Sequence, residues 1–355
     1  MGGVTVEFFE RLLSLPGPSG HEVLPARAWR EEAEGFADRV WADVAGNSYA
    51  EVNPTGRPRV MLAGHIDEIG LMINHIDDDG FLYFSTIGGW DPEVLVGQRV
   101  EILTRDGSIP GVIGKKAIHL LEKENLEKIS KVKDLWLDIG AKDGADARGR
   151  VRVGDAAVLA ATFLQLPNGR LASRSIDNRV GALVVLEALR ALASERPSAG
   201  VVAVATTQEE IGVGGGGAGP GAFGLDPQVA FVVDVTHATD YPGAERKGHG
   251  DHRLGGGPAI CRGSAVNGVL FERLIEVAEG AKIPHSIEAA PGRTRTDADS
   301  IVMARAGIAT ALVSVPNRYM HSPNEMVALE DVRHAALLLA ATIRTLSADD
   351  EFVPS

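Results

Sequence analysis

The sequence has very little sulfur to work with. A single cysteine, Cys261, excludes any intrachain disulfide and any thiolate metal cluster. No run of about 18 apolar residues is present, so no membrane-spanning helix is expected. Met1 to Leu15 lacks a basic segment followed by an apolar one, so no secretory leader is expected, and cytoplasmic residence is the default. Basic residues are outnumbered, 35 against 48 acidic, for a net charge of -13, which argues against nucleic acid or an anionic membrane as partner. No G-K-[ST] occurs. Gly212-Val213-Gly214-Gly215-Gly216-Gly217 matches G-x-G-x-x-G in form only. It follows two glutamates, and Pro220 and Gly221 are expected to interrupt a helix continuing from it, so a dinucleotide site is rejected. Close backbone approach beside a site is the expected use of these glycines.

What the chain does have is 355 residues, 45% of them hydrophobic, enough for two domains with ample core. Helices are expected over Glu7–Leu13, Val23–Glu34, Asn178–Ala193, Phe271–Lys282 and Glu330–Ser347. Apolar strands are expected at 59–63, 201–206, 229–233 and 309–313. Between about 70 and 165 the texture changes to short strands with glycine turns, as in a small β-barrel or sandwich. The expected architecture is a three-layer α/β/α domain with a mixed sheet, formed by 1–67 and 166–355. A β domain is inserted at 68–165.

The chemistry gathers where apolar strands stop. One ends at His65-Ile66-Asp67, one at Glu209-Glu210 and one at Asp234, and a fourth leads to His321. Ligands of open α/β sheets bind beyond the carboxyl ends of the strands, so these groups should converge. Asp177 precedes a helix, where a carboxylate also serves as a cap. His65, Asp177, Glu210, Asp234 and His321 make an imidazole and carboxylate set suited to zinc, cobalt or manganese. Five ligands exceed the three of a single catalytic zinc and suit two divalent ions about 3.5–4 Å apart that share one carboxylate. Adjacent residues of extended chain point in opposite directions. Glu210 can therefore ligate while Glu209 acts as general base on a metal-bridged water, with Asp67 orienting His65. His249 and His252 lack strand-end placement and are expected in loops.

These motifs resemble the tetrahedral (TET) dinuclear metallo-aminopeptidases, the group that includes glutamyl and deblocking aminopeptidases. The resemblance covers nearly the whole chain. It rests on Pro18-Ser19-Gly20-His21-Glu22, Gly64-His65-Ile66-Asp67-Glu68-Ile69-Gly70, Ser175-Ile176-Asp177-Asn178-Arg179, Gln208-Glu209-Glu210-Ile211-Gly212, Thr296-Asp297-Ala298 and Arg318-Tyr319-Met320-His321-Ser322-Pro323. It implies that His65 and Asp234 hold one metal, Glu210 and His321 the other, and that Asp177 bridges. It also implies that the inserted unit is PDZ-like and helps subunits assemble into a dodecamer, and that the substrates are peptides with a free N-terminus. Leu254-Gly255-Gly256-Gly257-Pro258 departs from the family's Gly-Lys-Gly-Pro, which bears on substrate preference. Arg293, Arg295 and Arg318 leave that preference open. The 109 residues between Asp67 and Asp177, far more than a βα connection needs, place the insertion early as in this family. An endoglucanase-like glycoside hydrolase and a catalytically silent assembly protein are the alternative readings.

Overall fold

The computed structural model describes residues 6–123, 128–212 and 216–353. Its centre is an eight-stranded mixed sheet. The strand order is Arg39–Ala42, Ser48–Val52, Gly200–Thr206, Arg59–His65, Val229–His237, Ala309–Asn317, Ala259–Gly263 and Ser286–Ala290. The third to sixth of these run parallel to one another. Every position of Gly200–Thr206 is buried, as expected for a strand covered on both faces, and that is why it reads as a continuous Val/Ala run.

Side-chain alternation divides the core into two layers. Val60 and Leu62 pack with Leu12, Trp29, Leu183 and Leu339, from helices Val6–Ser14, Val23–Ala33, Ile176–Ser194 and Leu329–Arg344. Met61 and Ala63 face the other way, against Ala222 of Ala218–Leu225 and Ile301 of Ala298–Ile301. Each fully buried leucine contributes roughly 1.5–3 kcal/mol. The result is the expected three-layer arrangement.

The second unit is a closed barrel of six strands, Gly70–Ile76, Leu82–Ile87, Trp136–Asp138, Gly107–Gly114, Arg99–Thr104 and Ala156–Leu159. It has a core of its own that includes Leu71, Phe84, Ile102 and Leu137, and closure gives each strand two neighbours. A small sheet of Leu164–Leu166, Arg170–Ser173 and Glu325–Ala328 joins the return from the barrel to the segment after His321.

Three features differ from the sequence expectations. Pro220 and Gly221 lie inside the helix Ala218–Leu225. Pro220 is its third residue, in the first turn, where a missing N–H removes no helical hydrogen bond. His252 is buried, with Nδ1 2.8 Å from Ser286 Oγ. Four strands of the large sheet, Arg39–Ala42, Ser48–Val52, Ala259–Gly263 and Ser286–Ala290, carry no strong apolar run and take their form from pairing to neighbours. The glycine-rich stretch falls partly on 213–215, outside the described residues. Among the described residues no helix is long and apolar enough to cross a membrane.

Candidate metal centre

The strand Arg59–His65 lies between Gly200–Thr206 and Val229–His237. The chain winds outward from it in both directions, which makes its carboxyl end the switch point where a crevice opens. Gly64 sets the depth of that end. A Cβ there would sit 2.5 Å from the Gly181 carbonyl carbon, so only glycine lets the strand approach the helix that follows Asp177. Across the sheet Thr206 pairs with His65. The strand stops at Thr206, and Gln208, at φ 60°, turns the chain. Glu209 and Glu210 therefore both lie beyond a left-handed turn, outside the strand.

Asp177 lies in the opening turn of Ile176–Ser194 but outside helical geometry, at φ -76° and ψ 107°. It caps nothing, and its carboxylate points into the crevice. Asn178 holds this irregular turn: its side chain donates to Val233 O (2.8 Å) and accepts from Gly181 N (3.0 Å).

The two oxygens of Asp177 face different histidines. Oδ1 is 3.3 Å from His65 Nε2, and Oδ2 is 3.4 Å from His321 Nε2. Asp234 Oδ1 stands 4.0 Å from His65 Nε2, and Glu210 Oε2 stands 3.3 Å from His321 Nε2. Glu209 Oε2 is 3.7 Å from His65 Nε2. His65, Asp177 and Glu210 each offer a donor atom within 4.8 Å of the others. The structure thus brings together all seven residues singled out in the sequence, with Asp67 one layer behind. Asp67 accepts from Ser19 Oγ at 2.6 Å and from the amides of Glu209 and Glu210, each at 3.2 Å. Its Oδ1 lies 3.3 Å from His65 Nδ1.

The electrostatics favour bound positive charge. Among the described residues, the two histidines are the sole cationic groups within 4.0 Å of Asp177, Glu209, Glu210 and Asp234. Burial lifts the Glu209 carboxyl to about 10, with Asp234, Asp297 and Glu210 adding repulsion against His65. Burial and then Asp177 lift Glu210 to about 7. Burial raises Asp234 well above the carboxylate range. His321 moves to about 11, because Asp177 and Glu210 outweigh the burial that disfavours its charge. Asp67 is held below the usual range despite its burial, by His65 and the donors around it. Glu210 Oε1 and Asp297 Oδ1 are buried without a hydrogen-bond partner. Like charges crowded in a dry pocket, with oxygens left unpaired, call for cations. An imidazole and carboxylate donor set fits zinc, cobalt or manganese. Cys261 is in the core away from these groups.

Sequence reasoning passed over two residues here. Glu325, 2% exposed, accepts from the amides of Asp177 and His321, each at 2.8 Å. Asp297 accepts from Thr206 Oγ1 and adds repulsion to both Glu209 and Asp234. The Thr296-Asp297-Ala298 motif pointed to Asp297. Nothing in the local sequence pointed to Glu325. Arg318 is engaged with Asp240, its Nε 2.9 Å from Oδ1.

A family model described as M42 glutamyl aminopeptidase matches residues 46–338. The lysyl aminopeptidase of Pyrococcus furiosus is 35% identical over 352 residues, 98% of this chain and 99% of that one. Among solved structures, a TET aminopeptidase from the marine sediment archaeon Thaumarchaeota archaeon SCGC AB-539-E09 superposes with a TM-score of 0.91 at 34% identity, covering 96% of both chains. The Pyrococcus horikoshii TET1 peptidase, which can assemble into a tetrahedron or a large octahedral shell, gives 0.84 at 31% identity, covering 96% of this chain and 99% of that one.

Proposed function

From the premise that this chain belongs to the M42 glutamyl aminopeptidase family, we propose that five side chains hold two divalent cations in the crevice and that Glu209 is the general base. Membership makes the protein a metal-dependent aminopeptidase, a hydrolase of peptide bonds, and does not favour the endoglucanase alternative. A complete donor set with a spare carboxylate argues against a silent assembly role.

The observation that carries the reading is Asp177, whose two oxygens each face a different histidine. His65, Asp234 and one Asp177 oxygen form one position. His321, Glu210 and the other oxygen form the second. Zinc or cobalt suits these donors best, and manganese is also accommodated. Bound cations would polarise the scissile carbonyl and make a water molecule more acidic.

The chain's own groups do the rest. Glu209 takes a proton from the attacking water and delivers it to the leaving amine nitrogen. Burial makes its carboxyl proton-hungry, and bound cations would lower its proton affinity toward the range where acid–base exchange is most effective. Asp67 fixes the amides of both glutamates and sits behind His65. The family is described as glutamyl and the Pyrococcus furiosus relative as lysyl, so membership leaves the preferred side chain open.

The reading extends to assembly in the cytoplasm. The shells formed by the TET1 peptidase support a homo-oligomer, and we take it to be a dodecamer with the unit at 68–165 contributing contacts. Hydrolysis of aminoacyl p-nitroanilides by chelator-stripped protein tests the chemistry. Cobalt or zinc should restore cleavage of free-amine substrates and leave N-acetylated ones intact. Cleavage that survives chelation, or that ignores acetylation, would refute it.

A further inference from the structure

Glu325 is a buried carboxylate that the reaction does not use. Both of its oxygens are committed to backbone amides: Oε2 accepts from Asp177 N and Oε1 from His321 N, each at 2.8 Å. Among the described residues no lysine, arginine or histidine pairs with it within 4.0 Å, unlike Glu68, which carries Arg174 and Arg179. Its place in the fold explains the reach. Glu325 opens the strand Glu325–Ala328 opposite Ser173, on the strand that leads into Asp177. The next residue, Met326, exchanges amide hydrogen bonds with Arg318 (2.9 and 3.0 Å), closing the turn that carries His321. One side chain therefore stands between two ligand-bearing segments far apart in sequence.

The turn needs such a hold. Tyr319 (φ 60°) and His321 (φ 59°) both sit in the left-handed region, which residues with a Cβ disfavour. A bond from a buried carboxylate to the His321 amide fixes that conformation and aims the imidazole at Asp177 and Glu210. The second bond fixes the Asp177 backbone on the same support. We propose that Glu325 is a positioning residue that builds the cation position formed by Asp177, Glu210 and His321. It acts through two backbone amides and touches neither the metal nor the substrate. This rests on the two-cation reading above.

Glu325→Gln tests it. The amide keeps one acceptor and turns its NH2 toward the other backbone N–H, so one bond is lost and two donors are set face to face. Outer partners of metal ligands typically change affinity by about 10- to 100-fold. Cobalt titration against a competing chelator, with metal counting after dialysis, should give two ions for wild type. E325Q should retain one ion near wild-type affinity, with the other weakened about 10- to 100-fold and its cobalt absorption band lost. The metal-free variant should still unfold in a single transition, with a melting temperature somewhat below wild type because two buried donors face each other.

A double-mutant cycle keeps the idea open to refutation even where E325Q folds poorly. In a His321→Ala background, Glu325→Asp should cost less affinity than in wild type, because one of the two ligands it positions is gone while Asp177 remains. Two ions at wild-type affinity in E325Q, an equal loss at both positions, or an additive loss in the cycle would each overturn the assignment while leaving the two-cation reading intact. Uptake of a single ion by the wild-type protein would overturn both.

Discussion

Replacing Glu209 with glutamine is expected to abolish turnover while leaving the fold and the metal content unchanged. Among the described residues the side chain makes no hydrogen bond that an amide of the same shape would forfeit, and the cationic group that faces it is His65 Nε2 at 3.7 Å. Its backbone N–H stays on Asp67 Oδ1 (3.2 Å) whatever the side chain. Glutamine keeps the shape of this side chain, 17% of which is exposed, so the change in stability should not exceed the roughly 1 kcal/mol of a typical substitution. Removing a positioned general base typically costs about 10²- to 10⁴-fold in rate, or roughly 2.7–5.4 kcal/mol in the barrier. The variant would be assayed with a leucyl p-nitroanilide at saturating substrate, after its bound metal has been counted. A kcat within tenfold of wild type at full metal content would refute the assignment of the base. A proportionate loss of metal would show that Glu209 ligates rather than catalyses.

Three further outcomes are expected. Arg179→Met should destabilise the chain by about 3–5 kcal/mol, read from urea unfolding: the fully buried guanidinium pairs with Glu68 (2.8 Å) and donates to Leu12 O and Ile66 O (2.8 and 3.2 Å). Stripping the metal should lower the melting temperature, by an amount that grows with the metal concentration used as reference, near 2.7 kcal/mol when that is about 100 times Kd; melting unchanged by chelation and by re-addition would contradict it. Asp240 is held below its ordinary range, since the Arg318 guanidinium and the Leu254 amide outweigh its partial burial. A depressed folded-state pKa stabilises above the unfolded value and is lost as pH falls through the folded one. The stability gap between wild type and Asp240→Asn should therefore be full at pH 7 and close below about pH 4; a gap that widened on acidification would reverse the sign.

The two-layer core was legible because burial on both faces selects unbroken apolar strands, as at 59–63 and 201–206, and a 3.6-residue period marks the helices against them. The edge strands Arg39–Ala42 and Ser286–Ala290 were not, because neither buries a residue fully and both gain their form from a neighbour. The helix through Pro220 was misread for a positional reason: proline breaks a helix only where its N–H would be needed.

At the site, residue type and position after a buried strand were enough to nominate His65, Asp67, Glu209, Glu210 and Asp234, since an apolar run ending in carboxylates or imidazole has few purely structural uses. Asp177 and His321 could be named but not oriented. That one oxygen of Asp177 meets His65 and the other His321 depends on a non-helical turn held by Asn178. Glu325 could not be found at all, because its partners are backbone amides and every residue has one. Sequence alone determined which chemical groups are present and roughly where the strands deliver them, because periodicity and burial are local properties of the chain. The tertiary structure decided which atoms face one another, because that depends on the pairing of segments more than a hundred residues apart.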